Sequence, residues 1–451
     1  MNHIVLFGAG KSATCLIDYL LKEIVANNWK LTVCDSNLLL AQSKIGNATN
    51  AQAVSILVED DVKRKALIME ADIVISLLPP DLHFVIAKDC VAYNKNLLTA
   101  SYVDENIKSL GKEIDNKGLL FLCEIGLDPG IDHMSAMKII QSLKGKGNNI
   151  ISFISHCGGL VAPESDNNPW HYKVTWNPRN VVLAGKDGAT YRKQNETVNI
   201  SYDKIFKDSQ IVNVPYFQPL AWYPNRDSLH YISLYALDNV STFIRTTLRY
   251  PSFCRGWNKL IGIGCTSTND IEQIEDCKTF KDWFYAKINP FVTNETGWNN
   301  YMQLYVTGPY QDEFTKQINF LGYNNDEPLP PGFTCSADIL QNAMETKLVM
   351  QQQDKDMIVM LHEIEYEDAD AAKNGSKKII KSSLVLKGEN NTRTAMAKAV
   401  GLPLGIAAKL ILQKKITLTG LHIPIVSKIY EPVLQELEEH GIKFNETNLV
   451  K

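Results

Sequence analysis

The stretch Glu124–Met134, EIGLDPGIDHM, sets a carboxylic acid in a turn between two regular elements. Before it runs the apolar segment Leu119-Leu120-Phe121-Leu122, and after it Met134, Met137 and Ile140 recur at helical spacing. Ligands of open α/β sheets bind in the crevice outside the carboxyl ends of the strands. Asp128, in the turn Asp128-Pro129-Gly130, is therefore a candidate general acid/base. Ser101-Tyr102 closes another apolar run and Cys157-Gly158-Gly159 a later one, which adds Tyr102 and Cys157 as candidate proton carriers. Each has a plainer alternative. Asp128 also suits a helix cap, Tyr102 a hydrogen bond to a substrate, and Cys157 an inert buried position. Packing or capping accounts for His133, beside Asp132 at the start of the helical pattern.

A second constellation would hold phosphate. Gly8-Ala9-Gly10-Lys11-Ser12-Ala13 fits G-x-G-x-x-A between a strand and a helix. The first glycine permits the tight turn, the second lets a pyrophosphate approach the backbone, and Ala13 lets helix and strand pack closely. The helix start supplies N–H donors and a positive dipole end. Asp35 ends the second strand, about 20 residues on, where an acid binds a ribose 2′-hydroxyl. It also suits an N-cap. Such an acid repels a 2′-phosphate, and Ser36 and Asn37 follow it rather than an arginine. This favours NAD while leaving NADP admissible. Ser36 and Leu77, near the ends of neighbouring strands, complete the expected cofactor set.

These residues need a scaffold. Apolar runs at His3–Phe7, Leu31–Cys34, Val54–Val58, Ile73–Leu78, Asn96–Ser101 and Leu119–Glu124 alternate with helical segments. That rhythm predicts an α/β fold opening with a Rossmann domain, a doubly wound parallel sheet, over residues 1–132. Runs at Ile151–Cys157, Val181–Ala184, Thr190–Gln194 and Thr197–Tyr202 then suit an α+β domain with a mixed or antiparallel sheet, spanning 133–253 and 354–390. Residues 254–353 read as a helical insertion. Trp170, His171, Tyr172 and Trp176 argue that the long loop Gly158–Arg179 is ordered. Strands at Asp356–Tyr366 and Lys378–Lys387 flank Asn374-Gly375, a hairpin signal. The tail predicts three helices: one from Thr392 stopped at Gly401 before Pro403, then Leu404–Leu412, and Glu431–His440.

With 451 residues, two or three domains of roughly 100–200 residues fit. The net charge of -4 gives no electrostatic case for nucleic acid or an anionic membrane. No apolar run approaches the roughly 18 residues of a membrane span. MNHIVLFGAGK reads as a first strand and not a signal peptide. Nine cysteines without a CxxC pair suggest reduced thiols and a cytoplasmic protein. The histidines have no metal-binding spacing, so no metal is expected.

The blocks TASY, EIGLDPGIDHM, SHCGGLVAPESDNNPWHYKVTW, YPNRDS, RTTLRY, KDMIVM and TAMAKAVGLPLGIAAK occur in one order along almost the whole chain. In that order they closely resemble the glutamate-forming saccharopine dehydrogenases. The resemblance implies a Rossmann domain, a substrate and dimerisation domain with a helical insertion, a tail from about 391 to 451 packed on the first domain, and a homodimer. It implies reversible oxidation of saccharopine to an imine, hydrolysed to glutamate and aminoadipate semialdehyde. By resemblance Ser101, Tyr102, Asp128, Arg226, Thr247, Leu248 and Arg249 line the substrate site. Ala9–Ser12, Leu127–Pro129 and Asn177 fall where the family contacts the nicotinamide cofactor, although the family often has Ser at Asn177. Saccharopine carries three carboxylates, which Arg226 and Arg249 suit through bidentate bonds. Lys173 and Arg245 are further cationic candidates. Two alternatives keep the fold: a related amine–aldehyde dehydrogenase of the carboxynorspermidine or homospermidine type, and a non-catalytic NAD-binding sensor. The YPNRDS and CGG blocks favour saccharopine.

Overall fold

The computed structural model describes residues 1–288, 301–302, 306, 310–369 and 377–450. The chain divides into two compact units. The first comprises Met1–Ile151, Ser233–Asp238 and His362–Lys451; the second Ser152–Ile232 and Asn239–Leu361.

The first unit is built on short runs of branched aliphatic residues: β1 (His3–Phe7), β2 (Lys30–Asp35), β3 (Ala51–Ser55), β4 (Ile73–Ser76), β5 (Asn96–Thr99) and β6 (Leu120–Leu122). With a late strand, Gly420–His422, they form a seven-stranded sheet in the order Gly420–His422, β6, β5, β4, β1, β2, β3. Every pair in it is parallel. Ile4, Val5 and Leu6 are fully buried, as a strand covered on both faces requires. The order reverses beside β1, so the ends of β1 and β4 form the switch point where α/β sheets bind ligands.

The periodicity placed most of these strands to within two residues. The third is displaced, expected at Val54–Val58 and found at Ala51–Ser55. Pairing with β2 sets its register, Val33 opposite Ala53, and draws in Gln52 and Ser55. The strand Gly420–His422 gave no signal, being three residues long.

The tail departs further from expectation. Ala395–Leu412 is one helix with Pro403 inside it. Proline in a helix interior costs about 3 kcal/mol, and here packing outweighs that cost. A Cβ on Gly401 would lie 2.8 Å from the Leu16 backbone nitrogen, and one on Gly405 2.6 Å from the Tyr19 ring. Both glycines thus let the helix press on Thr14–Asn27. Its length and composition would also let it cross a membrane, contrary to the sequence expectation, but most of it is buried inside the protein. The last helix is Ser427–Glu439, four residues longer at its start than expected.

The second unit carries β7 (Asn149–Val161), β8 (Ala189–Lys193), β9 (Glu196–Ile200), β10 (Gln210–Val212), β11 (Leu220–Pro224), β12 (Arg226–Asp227), β13 (Thr242–Arg249) and β14 (Asp356–Glu367). They run in the order β10, β11, β13, β7, β14, with β8 joining β9, β12 and β13 to one side. The β7–β13 pair is parallel and β11–β13 antiparallel, so the sheet is mixed. β14 runs on past Leu361 into the first unit's segment, where β15 (Lys377–Lys387) pairs antiparallel with β17 (Asn445–Val450), Gly420–His422 being β16. The expected turn at Asn374-Gly375 lies outside the described residues. Val181–Ala184, expected as a strand, instead follows a helix start: Pro178–Val182 is helical, with Asn177 as N-cap and Pro178 in its first turn. β7 runs four residues beyond Cys157. The aromatic loop after it is ordered by burial of Trp170 and Tyr172, and the Trp170 indole donates to the Gln317 carbonyl at 3.0 Å. Helices Pro251–Ile263, Phe280–Ile288, Tyr310–Leu321 and Ser336–Lys347 pack around the same aromatic core.

Candidate functional site

In the first unit the turn after β1 is shaped as a phosphate cradle. Gly8 has φ +101° and a Cβ there would lie 2.7 Å from the Leu77 carbonyl oxygen, so the end of β4 packs against the turn. Gly10, the helix-start residue, has open space where its Cβ would be and no side-chain cap. Uncapped N–H groups facing open space are what a pyrophosphate needs. Ser12 is half-buried and Lys11 exposed. The Asp35 carboxylate accepts from the Ala9 N–H at 2.7 Å and the Asn37 N–H at 2.8 Å, which ties the end of β2 to the glycine turn. Ser36 is exposed beside it. Lys44 reaches the Gly10 carbonyl, and burial lowers its ammonium to about 8.

Beyond β5 and β6 lie Ser101, Tyr102 and Asp128, all half-buried. The Tyr102 hydroxyl donates to Asp128 Oδ1 across 3.5 Å, a long bond. The Asp128–Pro129 peptide is cis. Leu127 and Pro129 are buried in the same turn.

Two supports here escaped sequence analysis. His83 bridges hydroxyls, with Nδ1 2.8 Å from Ser76 Oγ and Nε2 2.7 Å from Ser101 Oγ. Burial depresses it to about 4, so it is a neutral imidazole that fixes the Ser101 hydroxyl. The second is a buried chain. Glu124 Oε1 accepts from the Val103 N–H at 3.1 Å, and Oε2 lies 2.9 Å from His133 Nε2. His133 Nδ1 lies 2.5 Å from the Tyr235 hydroxyl. Asp132 caps the turn instead, accepting from the Gly130 N–H at 2.6 Å. Glu124 has φ +55°, a conformation costing a side-chain-bearing residue roughly 1–2 kcal/mol. The only sequence signal was that Glu124 and His133 bracket the turn; Tyr235 offered none.

In the second unit β11 and β13 set Tyr223 opposite Thr247, Trp222 opposite Leu248 and Ala221 opposite Arg249, while β7 sets Cys157 opposite Thr247. Arg249 is 4% exposed. It donates to the Leu248 carbonyl at 2.9 Å, and its guanidinium lies over the Tyr172 and Phe253 rings at 5.4 and 5.6 Å. Its Nε is buried without a partner, and among the described residues it has no ion pair with a carboxylate. Burial pushes the Tyr223 hydroxyl beside it up to about 12. Cys157 and Leu248 are buried, and Thr247 is half-buried.

The other positions fare differently. Arg226 is exposed, with φ +51°. Lys173 is buried but held 2.6 Å from Asp354. Arg245 is buried over the Tyr231 ring at 4.4 Å. Asn177 spends its side-chain oxygen as an N-cap, accepting from the Arg179 N–H at 3.0 Å. Among the described residues no cluster of metal-ligating side chains occurs.

Two family descriptions cover the chain: the NADP binding domain of saccharopine dehydrogenase matches residues 4–122, and its C-terminal domain matches residues 126–442. The mitochondrial alpha-aminoadipic semialdehyde synthase of Mus musculus is 31% identical over 99% of this chain and 48% of that protein. The chain thus spans about half the length of the synthases it matches. The saccharopine dehydrogenase [NADP(+), L-glutamate-forming] of Saccharomyces cerevisiae is 30% identical over 99% of both chains. The apo structure of a histidine-tagged saccharopine dehydrogenase (L-Glu forming) from the same yeast superposes with a TM-score of 0.89, 28% identity and complete coverage of both chains. The first unit therefore carries a nicotinamide dinucleotide-binding fold. Matched in order along nearly its whole length, the chain belongs to the saccharopine dehydrogenase family.

Proposed function

We propose that this chain oxidises saccharopine with a nicotinamide dinucleotide and hydrolyses the resulting imine to L-glutamate and 2-aminoadipate 6-semialdehyde, reversibly. The observation that carries this is Arg249. Arginine cannot shed its charge, and a buried cation needs an anion. Here no carboxylate of the described chain provides one, so a substrate carboxylate is its natural counter-ion. Arg226 binds a second carboxylate at an exposed position. The family's NADP(+)-dependent, glutamate-forming members support the same reaction.

Gly8–Ser12 and Asp35 would hold the dinucleotide, whose nicotinamide would accept the hydride. Asp128 takes the proton from the substrate's secondary amine, so that the C–H electrons leave as hydride and a C=N bond forms. Tyr102, donating to Asp128, orients that carboxylate. After releasing that proton to solvent, Asp128 takes a proton from the water that attacks the imine carbon and gives it to the nitrogen; it then relays the carbinolamine hydroxyl proton to the same nitrogen as the C–N bond breaks and the carbonyl forms. Cys157, beside Arg249, is a second proton-handling candidate. Ser101, Thr247 and Leu248 line the substrate.

We also propose NAD as the preferred cofactor, because the Asp35 carboxylate occupies the ribose position and repels a 2′-phosphate. The test is nicotinamide reduction by saccharopine, followed by absorbance with NAD and with NADP. Glutamate release with a higher kcat/KM for NAD is expected. A higher value for NADP overturns the cofactor assignment. Lysine and 2-oxoglutarate as products overturn the bond assignment. No reduction, in protein that binds dinucleotide, favours other amines or a sensor.

A further inference from the structure

We infer that Glu124 is a positioning residue for the reaction, acting through a buried clamp on both sides of the catalytic pair. The inference rests on the assignment of Asp128 and Tyr102 to proton handling. Glu124 ends the strand run from which the Asp128 turn departs. Its Oε1 holds the N–H of Val103, the residue after Tyr102. Its Oε2 holds His133, in the first turn of the helix that follows Asp128. Its own N–H donates to the Ser101 carbonyl at 3.1 Å. One side chain thus ties the Tyr102 segment to the far side of the Asp128 turn. Asp128 itself is half-buried and meets Tyr102 only across 3.5 Å, so this separation is set by the supports and not by the pair.

The arrangement is strained where it acts. Glu124 adopts a left-handed backbone that glycine would adopt more easily, and its carboxylate is 4% exposed. A glycine would suit the backbone and an apolar residue the burial. Holding a carboxylate there is explained by the two bonds it makes, and strain retained at a site points to function. Tyr235, hydrogen-bonded to the far nitrogen of His133, backs the clamp and fixes the ring.

The test uses Glu124→Gly and Glu124→Gln in the full chain, with kcat and KM measured for saccharopine and dinucleotide. Glycine deletes the carboxylate while relaxing the backbone. Glutamine keeps the acceptor for Val103 and turns its N–H₂ toward His133 Nε2, which accepts once the ring carries its proton on Nδ1 and donates it to the Tyr235 hydroxyl. We expect kcat to fall roughly a hundredfold in Glu124→Gly, as misplaced catalytic groups do. The dinucleotide KM should hold, and most of kcat should return in Glu124→Gln. Full kcat in the glycine variant overturns the inference, as does a glutamine variant as slow as the glycine one. If the glycine variant does not fold, Glu124→Asp replaces it, since its shorter arm cannot span both partners; full kcat there overturns the clamp. A second readout needs no substrate. In protein labelled with 3-fluorotyrosine, the Tyr102 fluorine resonance, assigned by its loss in Tyr102→Phe, should move in Glu124→Gly and return in Glu124→Gln. If the unsubstituted protein turns over no saccharopine, the functional assignment fails by itself. The clamp is then judged on this resonance, and a resonance unmoved in Glu124→Gly overturns it.

Discussion

Lys173 and Arg249 are both cations of the second unit, both 4% exposed, and they resolve burial in opposite ways. Lys173 has its counter-ion built in, the Asp354 carboxylate, which also accepts from the Gln351 N–H. Arg249 is lined by Tyr172, Phe253 and its own strand's carbonyl, with no carboxylate among the described residues. His83, in the first unit, shows a third outcome: lacking a counter-ion, it gives up its proton and bridges two hydroxyls. Of the three, only Arg249 is left charged with no anion among the described residues. A buried charge whose partner is built in is part of the framework. One with no carboxylate beside it among the described residues is the candidate receptor for an external anion.

Replacing each residue tests that distinction. Arg249→Leu should lower kcat/KM for saccharopine about 10⁴-fold, as expected when a site loses the group built to pair its ligand. The melting temperature should stay near that of the unsubstituted protein, since an apolar replacement of a buried ion is often neutral. A variant that keeps its kcat/KM would remove the case for Arg249 as a carboxylate receptor. Lys173→Met should do the reverse. It leaves the Asp354 carboxylate nearly buried beside an apolar chain, a loss of about 4 kcal/mol of stability in denaturant titration. Below the new melting point kcat should be retained. A stable but inactive Lys173→Met would show that Lys173 belongs with the substrate and would erase the contrast.

The difference between these sites was only partly visible in the residues. The glycine turn after β1 was legible because its requirements are local: Gly8 needs a positive φ, Gly10 open space, and Asp35 a strand end, and all are fixed within a few residues of sequence. Most of the parallel sheet was legible for the same reason, since β1, β2, β4, β5 and β6 fall on short apolar runs, whereas β3 and β16 do not. Arg226 and Arg249 ranked above Arg245 and Lys173 only through the family resemblance, because the identity of a cation's partner is a long-range fact; Asp354 is 181 residues from Lys173. Pro403 misled because helix-stop chemistry is local whereas the contact with Leu16 and Tyr19 that overrides it is not. Pro178–Val182 is helical although Val181 and Val182 are β-branched, because Asn177 caps the helix start and Pro178 occupies its first turn. Glu124 and His133 stood in the most informative stretch of the chain, but their bond runs across a turn whose path no periodicity describes.

The smallest effect belongs to His83, and it sharpens the third outcome. Its folded value of about 4 lies below the ordinary 6.5, because burial penalises the imidazolium. Between those values the unfolded chain binds a proton that the native protein excludes. Stability from this group is therefore complete above about pH 6.5 and is lost as pH falls toward about 4. A shift of this size corresponds to roughly 3 kcal/mol. Carboxylates titrate over part of the same range, so the comparison needed is with His83→Gln, which cannot titrate. Denaturant midpoints of the two proteins measured from pH 7 to pH 4 should converge as the unsubstituted protein loses its advantage. Parallel curves would mean that His83 takes up its proton in the native protein at the same pH as in the unfolded chain, and is an imidazolium there below about pH 6.5. The Ser101 hydroxyl would then face a donor at Nε2 and could only accept from it, leaving its own proton directed at the substrate. In the neutral state, with Nε2 as acceptor, Ser101 donates to the imidazole and offers the substrate only lone pairs. The pH dependence of the midpoint thus decides the charge of His83, and with it how firmly the direction of the Ser101 proton is fixed.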